Sequence, residues 1–213
     1  MLTLHAADLV VLGGGRPAVP DGAVLVDGRT LAAAGPYAVL AAAHPAARTR
    51  RWPGLLTPGL VHPRGPEVLE HTYHPDPREA GELGTAPLTG EALAGLGMTE
   101  ARWGASARRG VQRLLAHGVV AVAGPLRRPA VVDAVQRAGL GVRPPAEDPG
   151  DAAGPDPLAG RSLARVTAPP PAVGEGPATF AVFDVPDEAA LTARGAATCV
   201  ATVLAGRLVH RRR

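Results

Sequence analysis

Residues 99–142 constrain the fold more than any other stretch, because they repeat one pattern twice: an amphipathic helix, a glycine, then a short apolar strand. Thr99 and Glu100 open the first helix, Thr99 as N-cap and Glu100 near the positive end of the dipole. Trp103, Ala107, Val111, Leu114 and Leu115 recur at helical spacing, while Arg102, Arg108, Arg109 and Arg113 fall largely elsewhere on the wheel. Gly118 ends that helix. Val119 to Ala123 then reads as a buried strand, Pro129 to Ala138 as a second helix closed by Gly139, and Leu140 to Val142 as a further short strand. Helices alternating with apolar strands in this way are the βα units of a parallel layer.

An apolar pair, Leu60-Val61, precedes this region and is fed by a turn at Pro58 and Gly59. Its continuation is His62-Pro63-Arg64-Gly65-Pro66. Both chain ends carry strand patterns as well. Leu9 to Leu12, Ala23 to Val26 and Thr30 to Ala33 read as short strands separated by Gly13-Gly14-Gly15 and by Asp27-Gly28, the latter a type I′ hairpin signal. Tyr37 to Ala43 reads as a short helix started by Pro36. Near the other end, Thr179 to Val185 reads as a strand, Asp187 to Ala193 as a short helix, Val200 to Val209 as a hairpin, and His210 to Arg213 as a frayed basic tail. Pro63 to Met98 is loaded with Pro, Gly and acidic residues and is expected to be mostly loop.

The segment Thr57 to Val61 resembles the amidohydrolase superfamily, in which a Pro-Gly-Leu-Val-x-x-His-x-His segment closes the first strand of a (β/α)₈ barrel. The layout is most similar to the imidazolonepropionase, cytosine deaminase and related deaminase group. Residues 7–12 and 21–29 resemble the opening strand blocks of the small β-sandwich beside that barrel, and residues 178–184 and 200–209 resemble the blocks that complete it. Arg64 and Pro66 stand where the paired histidines of the family would be. A guanidinium is permanently cationic and a proline side chain has no lone pair, so neither holds a divalent metal.

The resemblance implies an α/β protein with a composite β-sandwich built from both chain ends, residues 1–57 plus 160–213. It also implies a truncated barrel remnant of two or three βα units at 58–145, and a Pro/Gly-rich linker at 146–177 that overlaps the sandwich return. Length agrees with the remnant: a complete barrel takes about 250 residues, whereas this chain has 213 in total. The family holds its metal with further histidines, an aspartate and, in binuclear members, a carbamylated lysine. This sequence contains no Lys.

Three histidines outside the strand blocks, His62, His71 and His74, are the weak candidates for an altered metal site, with Glu67 or Glu70 as a carboxylate partner. On a helix, His71-x-x-His74 would present both rings on one face in the manner of a zinc site. Pro75 and Pro77 argue against such a helix, and surface or loop histidines are the favoured reading. His5 and His44 belong to the strand blocks, His117 to a helix end and His210 to the tail. No catalytic residue can be nominated. The two serines, Ser106 and Ser162, lie outside any nucleophile elbow, Asp133 lies on a helix, and Asp184 matches a sandwich position of the family. Gly13-Gly14-Gly15 reads as a turn rather than a phosphate loop, since no helix with a Lys-Ser/Thr start follows.

Composition limits the remaining classes. Hydrophobic residues make up 46% and charged residues 19%, enough for an ordinary core built on Val, Leu and Ala. The pI of 9.9 reflects a basic complement made only of Arg, and the net charge is just +3. No nucleic-acid partner is therefore expected, because no aromatic platform accompanies the basic tail. The single Cys199 lies in an apolar run and reads as a buried thiol in a reducing cytoplasm. No signal segment or membrane span is expected. Two functions remain: an imidazolonepropionase-like protein without catalysis or cofactor that acts by binding or regulation, with a homodimer or protein partner, or a metal-dependent hydrolase of non-peptide carbon–nitrogen bonds that uses zinc or another divalent ion.

Overall fold

A computed structural model describes residues 1–149 and 154–212. Residues 150–153 of the expected linker and Arg213 of the expected tail lie outside the described residues. The architecture is mixed α/β, with a seven-stranded sheet and a smaller parallel sheet. From the N-terminus come β1 (Leu2–Val10), β2 (Val19–Asp27), β3 (Thr30–Pro36), α1 (Tyr37–Ala43), β4 (Arg48–Thr57) and β5 (Leu60–His62). Helices α2 (Gly65–Leu69), α3 (Ala80–Leu83) and α4 (Gly90–Ala94) then lead to α5 (Glu100–Leu115), β6 (Val119–Ala123), α6 (Pro129–Ala138) and β7 (Gly141–Arg143). The chain closes with α7 (Leu163–Val166), β8 (Phe180–Phe183), α8 (Glu188–Arg194), β9 (Cys199–Leu204) and β10 (Arg207–Arg211).

Both ends of the chain enter one sheet of order β10-β9-β8-β4-β1-β2-β3. Period-two alternation explains its two buried faces. On β1 and β2, Leu4, Ala6, Ala23 and Leu25 pack beneath α1 with Leu40, while Ala7, Val10, Val24 and Val26 face a second core with Leu56, Phe180 and Val182. His5 points into that second core, where Trp52 Nε1 donates to its Nδ1 at 3.1 Å and Phe180 meets it edge-on. The smaller sheet, β5-β6-β7, is parallel throughout, with α6 as the crossover between β6 and β7. Every apolar position expected to line α5 is buried, and Thr99 caps that helix by accepting from the Arg102 amide. Among the described residues no helix is long and apolar enough to cross a membrane.

Several expectations need correction. Strand β1 begins at Leu2 rather than Leu9, and β4 is a full strand that the charged run at Arg48, Arg50 and Arg51 conceals. The hairpin turn is Gly28-Arg29 between the paired Asp27 and Thr30, with positive φ at Gly28 alone, which is the type II′ pattern rather than I′. His210 and Arg211 are paired with β9 in β10 instead of fraying. Residues 63–98 are mostly loop as expected, with three short helices and a 3-10 turn at Pro77–Glu79 set into it.

Strand β4 passes Pro53 and Gly54 by a register shift against β1 between Ala7 and Leu9. Gly54 has φ +74, its amide donates to Asp8 Oδ2 at 2.6 Å, and a Cβ there would lie 2.3 Å from the Phe183 carbonyl oxygen. Gly28 also has positive φ, but a Cβ there meets nothing. Gly54→Ala is expected to cost about 2–4 kcal/mol in urea unfolding, against about 1 kcal/mol for Gly28→Ala, the difference being overlap with backbone. Equal losses in the two variants would show that this close approach does not constrain the fold.

Candidate functional site

The C-terminal end of β5 is where a metal-binding strand of the resembled family would present its ligands. His62 is its last residue and is completely buried. Its Nδ1 accepts from the Arg64 amide at 3.2 Å, so the ring proton sits on Nε2, which donates to the Gly154 carbonyl at 2.9 Å. Both nitrogens are thereby used within the chain. Arg64 and Pro66 follow as the sequence places them, Pro66 within the first turn of α2 and Arg64 3.8 Å from Glu67. This residue set does not fit a divalent metal: the histidine has no lone pair to spare, and its two neighbours have none to give.

The other two candidate histidines diverge. Helix α2 ends at Leu69, so His71 and His74 do not share a helical face. His71 is exposed, whereas His74 is buried, with Nε2 donating to the Val68 carbonyl at 2.9 Å and Nδ1 left without a hydrogen-bond partner. His71 and His74 lie in loop positions as expected, His74 buried there, whereas the expectation is corrected for His62, which is buried on β5. Among the described residues no group of three His, Cys, Asp or Glu side chains is placed to hold a metal ion. Gly110 on α5 makes room for the His74 ring, since a Cβ there would sit 2.7 Å from Nε2.

The candidate carboxylates also serve the architecture. Glu70 is buried and its Oε1 accepts from the Arg127 and Arg128 amides, both at 2.7 Å, which ties α2 to the loop entering α6. These charge-assisted bonds satisfy donors at the helix entry that would otherwise lack partners. Ser106 Oγ accepts from the His74 amide at 2.9 Å and donates to the Thr72 carbonyl at 3.5 Å, with no histidine ring bonded to it among the described residues. Cys199 is buried, and burial pushes its thiol up to about 11, so it stays protonated and unreactive at neutral pH.

One cluster was missed in the sequence. Tyr73, buried, donates its hydroxyl to Glu79 Oε2 at 2.5 Å and accepts from Arg102 Nε at 3.2 Å. Arg102 also pairs with Glu79 at 2.9 Å, and Arg109 joins Asp76 at 3.2 Å and the His74 carbonyl at 2.7 Å. The phenol hydroxyl, then the Asp76 amide, hold the Glu79 carboxyl below its usual range. Asp76-Pro77-Arg78-Glu79 forms a capping box, a signal present in the sequence as Asp-x-x-Glu. The network clamps residues 73–79 against α5.

His62 and His5 are each held neutral, both lowered from 6.5 to about 4, first by burial and then, for His5, by the Arg50 charge. The Gly154 carbonyl opposes the shift in His62 without cancelling it. An unfolded ring takes up its proton near 6.5, while the folded one resists down to about 4. Their contribution is therefore complete above the unfolded value and is lost as pH falls through that window, by about 3 kcal/mol per ring. Urea unfolding at about pH 7 and about pH 4.5 should give a smaller difference for His62→Gln than for the natural sequence; an unchanged difference would exclude a neutral His62.

No family model matches this sequence, and no curated protein does either. Solved structures that it resembles include the ochratoxinase of A. niger, with 20% identity and a TM-score of 0.44 over 67% of this chain and 31% of that one. The aminofutalosine deaminase of Helicobacter pylori aligns with 15% identity and a TM-score of 0.43 over 68% and 33%. The guanine deaminase of E. coli aligns with 16% identity and a TM-score of 0.40 over 68% and 35%. The chain spans about a third of their length.

Proposed function

We propose that this chain is an imidazolonepropionase-like protein of amidohydrolase type that carries no catalytic metal and acts through binding. On this reading the seven-stranded sheet corresponds to the family's composite sandwich, and β5, β6 and β7 correspond to the opening strands of its barrel. The observation that supports it is the end of β5. There a Pro-Gly-Leu-Val frame leads to a histidine with both nitrogens engaged, followed by Arg64 and Pro66 in the ligand positions.

One observation favours the second reading, a metal-dependent hydrolase of non-peptide carbon–nitrogen bonds. The buried Nδ1 of His74 has no hydrogen-bond partner and, with the proton on Nε2, offers a lone pair. Metal analysis of natively purified protein separates the two. The proposal expects no stoichiometric zinc, iron or manganese. A stoichiometric ion would overturn it, and loss of that ion in the His71→Ala/His74→Ala double variant would assign those rings as ligands.

The binding role we propose is self-association or capture of a protein partner through the small sheet. Strand β7 pairs with β6 on one side only among the described residues, and its Val142 is 53% exposed. An unpaired strand edge with an exposed apolar side chain is a template for another chain. Light scattering is expected to show a mass that rises with concentration; a monodisperse monomer throughout would remove the homodimer.

A further inference from the structure

Helices α5 and α6 and edge strand β10 line an open cavity of about 410 Å³, far from the end of β5 in sequence and built from different residues. Apolar side chains supply about half of its lining, among them Val111 and Leu115 from α5, Ala134 from α6, and Leu208 from β10. Three arginines reach it, one from each element: Arg108, Arg137 and Arg207. No acidic side chain lines it. Arg137 is held at 2.8 Å by Asp133 one turn earlier, but Arg108 and Arg207 form no ion pair among the described residues.

Such a distribution is unbalanced for a purely structural seam. Elsewhere along α5 the arginines are satisfied: Arg102 by Glu79, Arg109 by Asp76, and Arg113 by the Thr85 carbonyl. Around this cavity Arg108 and Arg207 come from separate elements, and neither pairs with a carboxylate among the described residues. Its volume lies within the range of small-molecule pockets, roughly 300–1,000 Å³. Guanidinium groups beside aliphatic side chains match a molecule with one anionic head and an apolar body, because the head finds charge-assisted donors and the body leaves water.

We infer that this cavity is a binding site for a small amphiphilic carboxylate, with Arg108 and Arg207 engaging the head and Leu208, Val111 and Leu115 receiving the chain. The assignment does not depend on the family reading, since it uses none of the residues at the end of β5.

Isothermal titration with decanoate, below its micellar range, tests it on the full chain. Saturable one-to-one binding is expected, weakening with added salt because the arginines are exposed. Decan-1-ol, which keeps the chain and lacks the charge, should bind about tenfold more weakly or worse. The Arg108→Gln/Arg207→Gln variant should lose about tenfold or more in decanoate affinity at unchanged melting temperature, whereas Arg48→Gln, on β4 and outside the lining, should bind as the natural chain does. Absence of saturable heat would overturn the site, as would equal affinity in the double variant or equal binding of the alcohol. Co-sedimentation with phosphatidylglycerol vesicles in the absence of decanoate binding would assign the anionic headgroup to a lipid surface and overturn the small-molecule site.

Discussion

Strand β4 is the element on which the rest of the structure depends. It lies parallel to β1 along most of its length and antiparallel to β8 at Leu55–Thr57, so it joins residues near the N-terminus to residues 180–211 in one sheet. Closing so long a loop adds only slowly to the entropy cost, because that cost grows with the logarithm of length. Burial of Leu55, Leu56, Val182 and Phe183, all fully inaccessible, offsets it. The irregularity at Pro53 and Gly54 follows from the same pairing. The β4 backbone passes so near Phe183 and Val185 that a side chain at position 54 has nowhere to go.

Once that sheet forms, β5 leaves it after a two-residue turn and starts the parallel layer, whose upper end is braced by polar groups. His62 holds Arg64 and Gly154, Glu70 holds the entry to α6, and His74 and Ser106 tie α2 and its following turn to α5. Buried polar atoms cost free energy unless they find partners, and here the partners are mostly backbone amides and carbonyls of adjoining segments. Residue types that look catalytic in a list therefore act as fasteners between elements. The Nδ1 of His74 has no such partner.

Legibility varied with the kind of signal. Helices α5 and α6 and strand β6 could be read nearly to the residue, because apolar periodicity, an N-cap at Thr99 and terminal glycines all agreed. Strand β4 could not, since Arg48, Arg50 and Arg51 together with Pro53-Gly54 break the usual strand pattern. Its identity comes from neighbours on both sides rather than from local propensity. Residues 63–98 looked structureless because their order comes from Tyr73, Glu79, Arg102 and Arg109 meeting across more than twenty residues. Only the capping box at Asp76–Glu79 announces any of this locally.

By itself the sequence determined what depends on composition and short spacing. It set the βα rhythm of residues 99–142, strand blocks at both ends, and the absence of metal-donor side chains at Arg64 and Pro66, since the donor capacity of a side chain is a property of its own atoms. Tertiary structure alone decided how each histidine is used, and it joined the two chain ends at β4. It also brought arginines from α5, α6 and β10 to one partly apolar cavity. Those outcomes depend on contacts between residues far apart in the chain, and no local pattern encodes the distance between them.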